Sequence, residues 1–243
     1  MSINSKFFSL DYLEDFSRRL EQIAMWERLK LYICDTGFQT VSPASTLEYL
    51  LISGPGKLLF NRFDGRDVSC WNLKHNANLD EAGWYTAWNV VPSAEFAAAS
   101  GATSIGYFSG GTTAYIVCAW DTTNHIYNIW SPLPFTPWLE SARFRFYNTN
   151  SSNSARMLSI LGYYLPTASK SFKLEIVAPK MPKIEHLNEI RNEFKLHHIV
   201  LSLSKQGRGK GAKNQYKLTI NAPDSFRDKN LYKVVEKIQK ATK

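Results

Sequence analysis

The chain has 243 residues, enough for one large domain or two smaller ones, and its 44% hydrophobic and 21% charged residues exclude a disordered, solvating polymer. The net charge of +8 is unevenly spread: residues 1–50 hold five basic and seven acidic side chains, residues 51–166 seven of each, and residues 167–243 seventeen against seven. The positive charge therefore sits in the C-terminal third, which predicts two modules with different partners.

The opening "MSINSKFFSLDYLEDF" lacks the apolar core of a signal peptide, and no run approaches the roughly 18 apolar residues of a membrane span. A cytoplasmic product, or one that leaves a cell by some other route, is expected. Leu13, Phe16, Leu20, Ile23, Trp26, Leu29 and Ile33 recur at steps of three and four. They predict an amphipathic helix within residues 1–40, opened by a capping box at Asp11 and Glu14 and stopped near Gly37. Its single apolar stripe must be buried, against the next domain or another copy of the chain.

From residue 41 to 168 the pattern changes. Turn formers ("SGPGK", "NRFDGRD", "ASGATSIG", "SGGTT", "DTTNH", "SPLPFTP", "YNTNSSNSA") punctuate β-rich runs such as "KLLF", "GWYTAWNVV", "TAYIVCAW" and "IYNIW". In "ARFRFYN", Phe144 and Phe146 alternate with Arg143 and Arg145, and "RMLSILGYYLP" follows as a second strand after a polar turn. This period of two, with regular turns, predicts an aromatic-rich antiparallel β-sandwich of jelly-roll type, one face of each sheet buried and one wet. A boundary is expected near "LPTASKS". Residues 169–243 then read as a small basic βαββα domain, so the fold class is α+β: helix, sandwich, then βαββα.

The strongest functional signal is "SKQGRGKGAKNQ", residues 204–215, set between two strand-like runs. Its acid-free join of about ten residues is longer than hairpins normally need. Lys205, Arg208, Lys210 and Lys213 stand among three glycines that permit close backbone approach. On the last helix Lys229, Lys233, Lys237 and Lys240 share a face opposite Leu231, Val234, Val235 and Ile238. Together these eight cations predict a sequence-tolerant polyanion or nucleic-acid surface. The plainer account is a solvated hairpin tip and a soluble helix face. Trp84, Trp88, Trp130 and Trp138 are candidates for stacking on a glycan or docking a partner, against the ordinary expectation that large aromatics lie in the core. Trp84 and Trp88 are even-numbered in one apparent strand and so expected on one face, most simply the buried one.

Chemistry for catalysis or metal binding is not legible. No G-x-S-x-G elbow or phosphate-loop spacing occurs, and His75, His125, His186, His197 and His198 form no chelating pair. Cys34, Cys70 and Cys118 are widely spaced and read as small buried hydrophobes. Asp64 and Asp67 beside Arg62 and Arg66 read as a charged turn, and Asp121 with His125 as a hairpin tip. No cofactor, no metal and no catalytic residue is predicted.

"ARFRFYNTNSSNSARMLSILGYYLP", residues 142–166, resembles the closing strands of jelly-roll domains in viral capsid, adaptor and appendage proteins. In those, a small-polar turn separates a basic-aromatic strand from an aliphatic strand ending in tyrosines. The resemblance implies a non-enzymatic virion component, an oligomer or part of a larger assembly. The sandwich would pack on neighbouring subunits and the basic domain would face nucleic acid or an acidic partner. A nucleic-acid-binding protein and a carbohydrate-binding module are the alternatives.

Overall fold

The computed structural model describes residues 29–242 apart from 70–71, 90–103, 111–112, 122–124, 133–136, 168–169, 179–180, 207–212, 225 and 228. Its strands are β1 (Leu29–Asp35), β2 (Gln39–Val41), β3 (Ser45–Ser53), β4 (Gly56–Arg66), β5 (Leu73–Leu79), β6 (Tyr85–Asn89), β7 (Ser104–Gly110), β8 (Thr113–Asp121), β9 (Ile126–Pro132), β10 (Pro137–Trp138), β11 (Ser141–Asn148) and β12 (Ala155–Pro166). There follow β13 (Lys170–Ile176), helix α1 (Ile184–Glu193), β14 (His198–Gln206), β15 (Lys213–Ala222) and helix α2 (Lys229–Ala241).

Among the described residues all pairings are antiparallel and form two sheets. One runs β1-β12-β4-β9-β8-β7, with β2 on β12 and β10 on β4; the other runs β13-β15-β14-β3-β11-β5-β6. We call them the first and second sheet. Alternation decides how they face. Phe144 and Phe146 of β11 are fully buried while Arg143 and Arg145 point outward. The inward row meets the opposite sheet: Phe63 of β4 stacks on His75 of β5 at 5.7 Å between ring centroids. Tyr49 of β3 donates to Ser159 Oγ of β12 at 3.0 Å.

Three expectations are corrected. Leu29 and Ile33 do not continue a helix; they lie in β1, which pairs with β12 from Leu29↔Pro166 to Asp35↔Ile160. Alternation at Tyr32 and Cys34, turned inward, outweighs the i, i+4 spacing of Leu29 and Ile33 because β12 supplies a ladder. The rest of that helix, from Asp11 to Trp26, lies outside the described residues. "NRFDGRD" is not a turn either. It is the second half of β4, held by β12 on one side and β9 on the other, with Asn61 and Phe63 buried. Only Asp67, at φ 81°, turns the chain. Third, β14 and β15 ladder as far as Gln206↔Lys213, so residues 207–212 alone join them, six rather than about ten.

The "LPTASKS" stretch is where the chain crosses from β12 in the first sheet to β13 in the second. Beyond it β14 pairs with β3 from Ile199↔Ser53 to Ser202↔Leu50, so one sheet runs through the sandwich and the C-terminal segment alike. The helices cover part of that sheet's outer face. Leu187 and Ile190 of α1 and Val234 and Ile238 of α2 are buried, and Ser53 Oγ donates to Asn188 Oδ1 of α1 at 2.6 Å. Cys34 is a free, buried thiol, pushed up to about 12 chiefly by burial; the side chains of Cys70 and Cys118 lie outside the described residues.

Candidate functional site

The outer face of the second sheet, beyond the helices, carries a cationic and aromatic cluster. The "RFR" alternation puts Arg143 and Arg145 on it, and the "NAN" alternation of β5 adds Asn76 and Asn78. The ladder sets Arg145 opposite Asn76 and Arg143 opposite Asn78. On the other side the register between β11 and β3 skips Tyr49, so Glu48 stands opposite Arg145. That bulge keeps Tyr49 in the core and Glu48 outside.

Arg143 holds Glu48 in a fork, Nε and Nη2 donating to its two oxygens at 2.7 and 2.9 Å. These bonds raise the Arg143 guanidinium above its ordinary value. Arg145 has no such partner among the described residues. Its guanidinium carbon lies 3.9 Å from the centroid of the Trp84 ring, and its Nε is buried without an acceptor. Burial lowers it from its ordinary value; it remains a cation. Trp84 is half-buried and is also 5.0 Å from Arg143. Chemically the patch offers a guanidinium with no ion pair among the described residues, an indole, and two amide oxygens.

The expected sites fare differently. Trp138 is 1% exposed; its indole N–H donates to Gly54 O at 2.8 Å and its ring fills the space a Cβ at Gly56 would take. It is core, and the glycan reading of Trp138 is withdrawn. Trp84 precedes β6 and lies on the outer face beside the arginines, not on the buried face expected for it. A bulge between His75 and Asn76 also breaks the count: His75 pairs with Trp88 but Asn76 with Thr86. The side chains of Trp88 and Trp130 lie outside the described residues, as do Arg208 and Lys210 entirely. Lys205 and Lys213 are placed only by ladder position, opposite Asn214 and Gln206.

On α2, Lys237 pairs with Glu193 of α1 and lies over the Phe194 ring, and Lys240 pairs with Glu236 at 2.7 Å. Both are exposed pairs of little energy. Lys229 and Lys233 make no ion pair among the described residues. Arg143, Arg145, Asn76 and Asn78 were not singled out by sequence reasoning, although two same-face arginines in "RFR" opposite a polar "NAN" is the signal that marks them.

At one end of the sandwich both sheets finish in strands, β1 and β13, that pair on one side only among the described residues. A cleft of about 340 Å³ lies between them, lined by Tyr32, Ile33, Tyr163, Lys173, Val200 and Thr219 among others. Leu31 and Ile33 on β1 are 43% and 60% exposed, and Val177 just after β13 is exposed too. Among the described residues no helix is long and apolar enough to cross a membrane, and no three His, Cys, Asp or Glu converge to hold a metal ion. No protein-family model matches the chain, and no curated protein matches it in sequence.

Proposed function

We propose that the protein is a non-enzymatic assembly protein, a structural component of a virus particle (capsid, adaptor or appendage) with a jelly-roll-like sandwich. It joins copies of itself through that sandwich and meets a polyanion or acidic partner through its basic C-terminal third. The observation that carries this is the outer edge of β1, which no strand pairs among the described residues. An exposed strand edge is a template for another strand, and proteins that avoid pairing guard the edge with charge. β13 is guarded by Lys173 and Glu175, whereas β1 has no charged residue between Lys30 and Asp35 and leaves Leu31 and Ile33 in water. Antiparallel pairing about a two-fold axis, with Tyr32 opposite its own copy, sets Leu31 beside the partner's Ile33 and buries both.

The full chain is expected to run as a dimer or larger species in size-exclusion chromatography with light scattering. Ile33→Lys should return it to a monomer with an unchanged circular dichroism spectrum. A native chain that stays monomeric at high concentration ends the reading.

The basic third supports the polyanion contact through Lys229 and Lys233, unpaired among the described residues, and the four hairpin cations. Four neutralised phosphates give a log–log salt slope of about −3.6 on duplex DNA. Replacing Lys205, Arg208, Lys210 and Lys213 with Glu should abolish retention on immobilised duplex. Retention unchanged by that replacement removes the hairpin from the account.

A further inference from the structure

Arg145 is a cation built into the sheet with no ion pair among the described residues. Glu48, the one acidic residue opposite it in the ladder, is held in both arms of Arg143. No ion pair of Arg145 is formed among the described residues, and its Nε lacks an acceptor. Beside it Asn76 and Asn78 are each 6% exposed, and the Oδ1 atom of each is buried without a donor. The outer face of a sheet is where such amides would ordinarily be hydrated. Here they lie closed over next to the two arginines and Trp84. An unmatched guanidinium and two unmatched amide oxygens on one patch describe what is missing: one anionic group and at least two donors, on a scaffold flat enough for an indole.

We propose that this face binds an acidic sugar, a uronic or sialic acid unit of a glycan. The carboxylate engages the guanidinium of Arg145, whose planar fork suits it. Drawing Arg145 outward uncovers Asn76, opposite it in the ladder, whose Oδ1, with that of Asn78 two residues on, accepts from sugar hydroxyls. The apolar face of the ring lies on the exposed part of the Trp84 indole. A neutral sugar satisfies the amides but leaves the guanidinium bare, and a simple anion does the reverse; only the combination satisfies all three groups. The site is separate from the β1 edge, so this proposal and the assembly reading stand or fall independently.

The test uses the full chain and the methyl glycosides of N-acetylneuraminic acid and glucuronic acid, with methyl galactoside and acetate as controls. Binding is followed by saturation-transfer NMR and calorimetry. One of the acidic glycosides is expected to bind saturably, with both controls at least about tenfold weaker, the scale of one charge-assisted hydrogen bond. Arg145→Gln should weaken it by about tenfold or more. Asn76→Asp supplies the chain's own carboxylate opposite Arg145, so it should abolish binding while the thermal midpoint rises or holds. That second variant carries the test if the first fails to fold. No saturable binding of either glycoside, acetate binding as well as the sugars, or undiminished binding by Asn76→Asp each overturns the proposal.

Discussion

Lowering the pH from about 7.5 to about 5 is expected to remove about 4 kcal/mol of folding stability, before most surface carboxylates are protonated. The cause is two imidazoles sealed in the sandwich. His75 is fully buried among Tyr49, Phe63, Phe144 and Phe146, and burial lowers its pKa from 6.5 to about 3. His198 is also fully buried and lowered to about 3, first by burial, then by the nearby charges of His197 and Arg191. Both are neutral in the fold, whereas the unfolded chain takes up a proton at each below about 6.5. The stability they confer is complete above 6.5 and is lost as pH falls toward 3. At pH 5 each accounts for about 2 kcal/mol, against a total of about 5–15 kcal/mol for an ordinary domain.

The hydrogen bonds show why neither ring can simply accept the proton. Tyr49 donates to Ser159 Oγ at 3.0 Å, and Ser159 donates to Asn61 Oδ1 at 2.8 Å. Tyr49 therefore accepts from the Nε2–H of His75, so a second proton would have to go on Nδ1, inside the same buried aromatic cluster, and burial opposes the charge. At His198 the polarity is opposite. Asn221 Nδ2 donates to its Nε2 at 2.5 Å and to Tyr32 Oη at 2.8 Å, so a proton on that nitrogen would meet a donor head-on. Urea midpoints measured from pH 7.5 down to 5 should fall steeply, and the ring resonances of both histidines should stay unprotonated throughout. A flat stability profile across that range would show that the rings are not sealed.

Part of this was readable from the chain and part was not, and the division is physical. The β11 and β12 stretches were legible because each has one dry and one wet face, which writes a period of two into "ARFRFYN". β4 was hidden because Asn61, Asp64 and Gly65 look like turn residues locally. Yet Asn61 accepts from Ser159 of the neighbouring strand β12, Asp64 is gripped by Arg62 at 2.8 and 3.0 Å, and Gly65 leaves room for Leu73. Each of those partners is distant in sequence or set by the fold. The same holds for the β14–β3 pairing, which no periodicity can announce. The candidate site follows this rule: the outward arginines are written in the alternation, but the loneliness of Arg145 depends on Glu48 being taken by Arg143 through a bulge in another strand.

Trp138→Ala is expected to cost about 3–5 kcal/mol, the scale of emptying a buried aromatic site. Two terms add. The indole is 1% exposed and fills the space over Gly56, so truncation leaves a cavity that β10, only two residues long, is poorly able to close. The lost N–H also strands Gly54 O, the carbonyl of a residue held at φ +113° in the corner between β3 and β4. That corner has no slack, because a Cβ at Gly54 would strike the backbone of His197. Trp138→Phe separates the terms: it keeps most of the apolar volume and loses the donor, so its cost should fall to about 1–3 kcal/mol. Gly56→Ala should be severe in the native chain and much milder in Trp138→Ala, where the new methyl enters the vacated space, giving a coupling well above the additive limit of about 0.5 kcal/mol. Urea unfolding of the native chain, the three single variants and the Gly56→Ala/Trp138→Ala double measures all three quantities. Additive costs for Gly56 and Trp138 would mean the indole does not sit on Gly56, and would reopen Trp138 as a surface residue.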